Sequence, residues 1–217
     1  MIVAIDGPAG AGKSSIARQL AERLDFQFLD TGAMYRAVAL AALRRGLGDG
    51  DAAAIASLAD AASIDFDGTR TLLDGEDVSE AIRTSEVSAA VYLAADNVAV
   101  RRRLVELQRQ IAGGRDTVTE GRDQGTVAFP NAECKIFLTA SPQVRARRRY
   151  EELRSRGERM TLEEVLAQQA DRDRRDAKRP VGALLKAADA VEVVTDGLTP
   201  EQVVERLEAI VRQRIRP

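Results

Sequence analysis

The 217-residue sequence has no histidine, no tryptophan and one cysteine, and aromatic residues make up only 4% of it. Each scarcity closes off some chemistry. Without histidine there is no imidazole acid–base pair, no Ser-His-Asp triad and no His-ligated metal. Few aromatic faces argue against the stacking platforms of single-strand nucleic-acid binders. A lone Cys134 excludes an internal disulfide and suits a reducing compartment. It precedes the apolar run Lys135-Ile136-Phe137-Leu138 and reads as a buried structural thiol. An excess of either charge is missing too. The 32 basic and 34 acidic side chains leave a net charge of −2, so the surface as a whole is no nucleic-acid footprint. No stretch approaches the ~20 apolar residues of a membrane helix. The opening run Ile2 to Ile5 stops at Asp6, too soon for a signal segment. The expectation is a cytoplasmic protein that needs neither membrane nor nucleic acid.

What is present describes an ordinary globular chain, 45% hydrophobic and 30% charged, long enough for one domain with a small insertion. Ile2-Val3-Ala4-Ile5 has the continuous apolar character of a buried parallel strand. Ser14 to Leu24 follows with helical spacing, then a strand at Phe26 to Leu29 and a helix over Met34 to Leu43. Residues 51 to 62 form an Ala-rich helix. From Ser63 to Val78 the pattern shortens, broken by Asp67-Gly68 and Asp74-Gly75, both hairpin signals that predict a small antiparallel insertion. One helical stretch spans Ser85 to Ile111, and strands follow at Thr117 to Glu120 and Cys134 to Leu138. Ser141-Pro142 opens an Arg-rich helix, and Thr161 with Glu164 makes a capping box for a second charged helix reaching Lys178. Val191 to Val194 is the last strand, and Thr199-Pro200 starts the closing helix. Strands alternating with helices imply an α/β fold whose central parallel sheet is covered on both faces. Ligands then belong beyond the carboxyl ends of the strands. Three candidate segments fall there, at Gly7, at Thr31 and at Gly121-Arg122-Asp123.

The first of these, Gly7-Pro8-Ala9-Gly10-Ala11-Gly12-Lys13-Ser14, matches G-x-x-x-x-G-K-[ST] in full, between a strand and a helix. Its glycines let backbone N–H groups approach phosphate oxygens, and the helix N-terminus adds partial positive charge. Lys13 is placed to reach the β and γ phosphates of a nucleoside triphosphate, and the Ser14 hydroxyl is the candidate ligand for Mg²⁺. No Asn-Lys-x-Asp motif for guanine is present. Instead, arginines suited to a second anionic ligand follow the strands, Arg36 after the second and Arg122 after the third. Arg172, Asp176 and Arg179, spaced i, i+4, i+7, share one helical face. That spacing fits a solvated salt-bridge stripe as well as a binding face, and Arg145, Arg147, Arg148 and Arg149 pose the same question one helix earlier.

Taken together, Asp6 to Ser15, Leu29-Asp30-Thr31-Gly32-Ala33-Met34-Tyr35-Arg36 and Glu120-Gly121-Arg122-Asp123-Gln124-Gly125-Thr126-Val127 closely resemble the bacterial cytidylate kinase family. So do Gly75 to Ser79, Ile82-Arg83-Thr84 and Arg172-Asp173-Arg174-Arg175-Asp176. The resemblance runs from Met1 to about Asp196. It implies a three-layer P-loop NTPase fold with a monophosphate-binding insertion and a helical lid. The core would cover about 1–46, 86–147 and 180–217, the insertion about 47–85 and the lid about 148–179. It further implies phosphoryl transfer from MgATP to CMP or dCMP. ATP would lie on Gly7 to Ser14 with Ser15, and Lys13, Arg122 and Arg172 would serve catalysis. Thr31 and Asp176 would contact the acceptor sugar, Arg36, Arg122 and Arg179 its phosphate, and Arg101 and Asp123 its cytosine. Asp30 would hold Mg²⁺ through water or simply form a turn. Tyr92 stands where relatives carry a small hydroxyl residue, and receives no role. The partners implied are small nucleotides, and the chain is expected to be a monomer.

Overall fold

The apolar run at the start becomes strand β1 (Ile2–Asp6), with Val3, Ala4 and Ile5 excluded from solvent in the computed structural model, which describes residues 1–215. A strand apolar on both faces needs cover on both, which a central place supplies. The five-stranded sheet runs β2 (Gln27–Asp30), β6 (Thr117–Gly121), β1, β7 (Cys134–Thr139), β8 (Val191–Val194). β1 pairs in parallel with β6 and β7, and β7 with β8. The register sets Asp6 opposite Gly121 on one side and Phe137 on the other, so the chain leaves β1 and β6 side by side. The ligand crevice of an open α/β sheet lies at such a point.

The described chain divides into two compact units, Met1–Leu29 with the chain from Ala112 onward, and Asp30–Ile111. In the first, α1 (Lys13–Leu24) and α9 (Pro200–Arg212) turn Ile16, Leu20, Val203, Val204 and Leu207 onto Val3, Ile5, Ile136 and Leu138. Each such side chain stabilises by roughly 1.5–3 kcal/mol when fully buried. α7 (Pro142–Ser155) and α8 (Leu162–Lys178) meet through Ala146, Leu153 and Val165. The capping box expected at Thr161 forms, with Glu164 accepting the Thr161 N–H at 2.7 Å. Cys134 is buried as expected, and burial pushes its thiol up to about 11.

The second unit holds α2 (Thr31–Arg44), α3 (Ala52–Ala61), and an antiparallel sheet of β3 (Ile64–Asp67), β4 (Arg70–Leu73) and β5 (Glu76–Asp77). The β4–β5 turn places Asp74 and Gly75 both at positive φ, 51° and 82°, which a primed hairpin turn requires. The single helix expected over Ser85 to Ile111 is instead three, α4 (Ser85–Ala90), α5 (Tyr92–Ala95) and α6 (Val98–Ala112). Asn97 is the cause. Its side-chain oxygen accepts the N–H groups of Ala99 and Val100, so it starts a new helix rather than continuing the old one. α2 likewise begins at Thr31, earlier than its periodicity suggested, because Asp30 caps it by accepting the Ala33 N–H at 2.8 Å.

Gly7 has φ 154°, and a Cβ there would lie 1.9 Å from the Leu138 carbonyl oxygen. Gly7→Ala therefore forces β1 and β7 apart at the loop and should lower the unfolding free energy by at least ~1–3 kcal/mol. A urea melt indistinguishable from the parent would contradict this.

Candidate active site

Gly12 stands at the N-cap of α1 and offers no side chain to cap it, which leaves the first N–H groups of the helix available to an anion. Lys13 is buried, and its ammonium donates to the Pro8 carbonyl at 2.9 Å, bracing the loop it belongs to. Burial, and after it the charge of Arg122, push Lys13 down to about 7, while Glu120 pulls the other way. A triphosphate would supply the negative charge that restores the ammonium.

The Ser14 hydroxyl donates to Glu120 at 2.7 Å. Its proton thus committed, the oxygen offers lone pairs to a cation. Among the described residues no group of three or more acidic, thiol or imidazole side chains suits a metal. A hydroxyl steadied by one carboxylate nevertheless fits Mg²⁺, which keeps several waters and leans on substrate phosphates rather than on an all-protein cage. Ser15 is different, because its hydroxyl donates to the Gly12 carbonyl and closes the helix start.

Beyond β6, Arg122 donates through Nε to Asp176 at 2.7 Å, and Arg179 donates to the other Asp176 oxygen at 2.7 Å. Burial alone would raise the Asp176 carboxyl, but Arg122, Arg179 and Arg172 outweigh it and hold the group below the usual carboxylate range. Arg172 is exposed on α8, yet its charge is felt at both Lys13 and Asp176. One expectation needs correction. Arg179 is not on the helical face, because α8 ends at Lys178 and Arg179 has turned to extended backbone. Its contact with Asp176 survives as an i, i+3 pair. Asp123 is 3% exposed at the mouth of a π-helical turn, Gln124–Ala128.

The arginines of α7 sort themselves. Arg145 is buried, donating to the carbonyls of Ala9 and Ala140 and pairing with Asp173. Arg148 donates to Thr195, and Arg149 pairs with Glu152. Arg145 therefore ties α7 to the phosphate loop, and its side chain is already committed to structure.

In the second unit Thr31 is buried at the start of α2. Arg36, one turn on, approaches Asp30 at 3.5 Å, and its buried Nε has no hydrogen-bond partner among the described residues. A partly exposed guanidinium with its Nε buried and unpaired is what an arriving phosphate completes. Asp30 is occupied in capping α2, the turn-forming alternative. Arg101 is 3% exposed, donates to the Ala95 carbonyl at 3.2 Å and lies 5.4 Å from the Tyr35 ring centroid.

Two residues at the site, Glu120 and Asp6, were given no role by the sequence, and Arg145 was left open there between solvent and binding. Asp6 is the last residue of β1 and Glu120 the next to last of β6, both at the carboxyl ends where ligands are expected.

A profile of the cytidylate kinase family matches residues 3–213. The chain belongs to the cytidylate kinase family. It is 52% identical to a cytidylate kinase of Rhodopirellula baltica over 98% of this chain and 93% of that one. It is 51% identical to one of Pelotomaculum thermopropionicum (95% and 94% covered) and 49% identical to one of Mycobacterium leprae (99% and 96%). It is thus an ATP-dependent kinase of the nucleoside-monophosphate class. Solved structures share the fold. A shikimate kinase from Bacteroides thetaiotaomicron superposes with TM-score 0.50 at 14% identity, covering 98% of each chain. A putative kinase from Chloroflexus aurantiacus superposes with TM-score 0.51 at 16% identity, covering 99% of this chain and 98% of that one. The expected α/β architecture, with a parallel sheet and a small antiparallel one, is the observed one.

Proposed function

We propose that this kinase transfers the γ-phosphoryl group of MgATP to CMP or dCMP, giving ADP with CDP or dCDP. The observation that carries the choice of base is the buried Asp123, a carboxylate directly after the strand beside β1. Cytosine presents N4–H₂ as donor, which a carboxylate accepts, and N3 and O2 as acceptors, which an arginine such as Arg101 satisfies. Uracil would set its O4 against the carboxylate, costing ~1–3 kcal/mol or more where groups are left unpaired.

ATP rests on Gly7 to Ser15, with Lys13 on the β and γ phosphates. Ser14 would hold Mg²⁺, which would supply neutralising charge to the phosphates. Thr31 and Asp176 take the acceptor sugar, and Arg36, Arg122 and Arg179 its phosphate. A phosphate oxygen of the acceptor attacks the γ-phosphorus in line, the bond to the β-phosphate oxygen breaks, and ADP leaves with the electron pair. Lys13, Arg122 and Arg172 stabilise the charge. No general base is needed, since a phosphate monoester is already ionised at neutral pH. The segment of about 47–85 serves as the acceptor subdomain and about 148–179 as the lid. The same reading places the enzyme in the cytoplasm as a monomer acting on small nucleotides.

The test is ADP release against CMP, dCMP, UMP, AMP and shikimate. Strong stimulation by CMP or dCMP is expected, and turnover indifferent to every acceptor would leave only an ATPase. In the same assay Asp123→Asn should weaken CMP and raise relative activity on UMP by ~10-fold or more. An unmoved CMP/UMP preference would remove Asp123 from base reading.

A further inference from the structure

The carboxylate of Asp6 has no part in the transfer just described, yet it is among the most enclosed charged groups in its unit. It ends β1, immediately before Gly7, and is 4% exposed. Both oxygens are engaged. Oδ1 accepts the Gln124 N–H at 2.7 Å and Oδ2 the Gly125 N–H at 2.8 Å. These two residues open the π-helical turn, and their N–H groups are among those its hydrogen-bond pattern leaves free. The turn closes on the residue before them, since Val127 and Ala128 both donate to the Asp123 carbonyl. The Gln124 side chain adds a third tie, accepting the Thr119 hydroxyl at 2.9 Å.

We infer that Asp6 is a positioning residue for the acceptor base, its carboxylate fixing the backbone that carries Asp123. The inference rests on the reading of Asp123 as the base contact. A π-helical turn is rare and frequent at functional sites. Here a buried anion stands at its amino end and holds its first two N–H groups. Because Asp6 adjoins the phosphate loop in sequence, it also ties the donor loop to the segment proposed to read the base. The electrostatics agree. Burial pushes Asp6 up to about 6, with the nearby charge of Asp123 adding to it, while the Gly125 and Gln124 N–H groups and, more weakly, Lys13 pull the other way.

Asp6→Asn preserves shape but turns an amide –NH₂ toward one of the two N–H groups. The expected result is a ~10-fold or greater fall in the CMP-over-UMP ratio of kcat/KM, with KM for ATP within about threefold of the parent. A loss shared equally by CMP and UMP, or one confined to ATP, overturns the assignment. Asp123→Asn runs alongside to separate two failures. If it leaves the ratio unmoved, base reading by Asp123 is wrong and the role of Asp6 falls with it. If it moves the ratio and Asp6→Asn does not, only the role of Asp6 falls. Should Asp6→Asn not fold, amide exchange by NMR on the parent protein decides. Gln124 and Gly125 are expected to exchange as slowly as β1 amides without nucleotide, and exchange as fast as at exposed Gly157 overturns the inference.

Discussion

Lys13→Ala should lose at least ~10²-fold in kcat, with a smaller change in KM for ATP, because the contact it removes strengthens as charge moves onto the β-phosphate. The side chain is buried and braces the Pro8 carbonyl, so its amino group is already held in place and little reorganisation remains to be done at the moment of transfer. Near-normal turnover would remove Lys13 from the chemistry. A second signature follows from protonation. Folding lowers Lys13 from 10.5 to about 7, so between those values the unfolded chain binds a proton that the nucleotide-free native state has shed. Stability from this group therefore rises as pH increases through that window, and the native state is penalised below it. Lys13→Met should flatten that rise in urea melts taken at pH 7, 8 and 9. Saturating ATP, which favours the charged form, should oppose it.

What the sequence made legible was set by local rules. The phosphate loop announces itself because backbone approach to phosphate permits so few side chains, and the hairpin turns because positive φ selects Asp74 and Gly75. The five-stranded core followed from apolar runs too short for helices. Three things were not legible, each for a physical reason. Asn97 looked like one polar residue in a helical stretch, and only its two accepted N–H bonds reveal it as a start. Arg179 keeps helical spacing from Arg172 although the helix has already ended, since Pro180 next to it disfavours helical backbone at Arg179. Arg145 and Arg148 are indistinguishable in sequence from the Arg147 beside them. Burial separates them, because two spend their donors on backbone carbonyls while Arg147 faces solvent.

Asp176→Ala should be the most destabilising single change in the arginine cluster, by ~3–5 kcal/mol, the usual consequence of stranding a buried charge. Asp176 and Arg179 have side chains only 6% exposed, so removing the carboxylate leaves Arg179 with little water to replace it. Arg122 is 18% exposed and has the Gly121 carbonyl as a second, longer contact at 3.4 Å, so it suffers less. Asp176→Asn retains one acceptor and should fall between parent and Asp176→Ala. The pH dependence has a fixed sign. The native carboxyl lies below its ordinary 3.8, so its contribution is fully present above that value and is lost as pH falls through the native pKa. The difference between parent and Asp176→Ala should thus be constant from pH 5 to 7 and narrow below about 3.8. If the two melts coincide at neutral pH, Asp176 does not anchor the arginines. If they differ by the same amount at pH 3 as at pH 7, its contribution is packing rather than charge. Function discriminates further. If Asp176 also holds the acceptor sugar as proposed, Asp176→Ala should bind CMP more weakly, so a given CMP concentration should add less stability to the variant than to the parent, whereas equal gains would restrict Asp176 to anchoring the arginines.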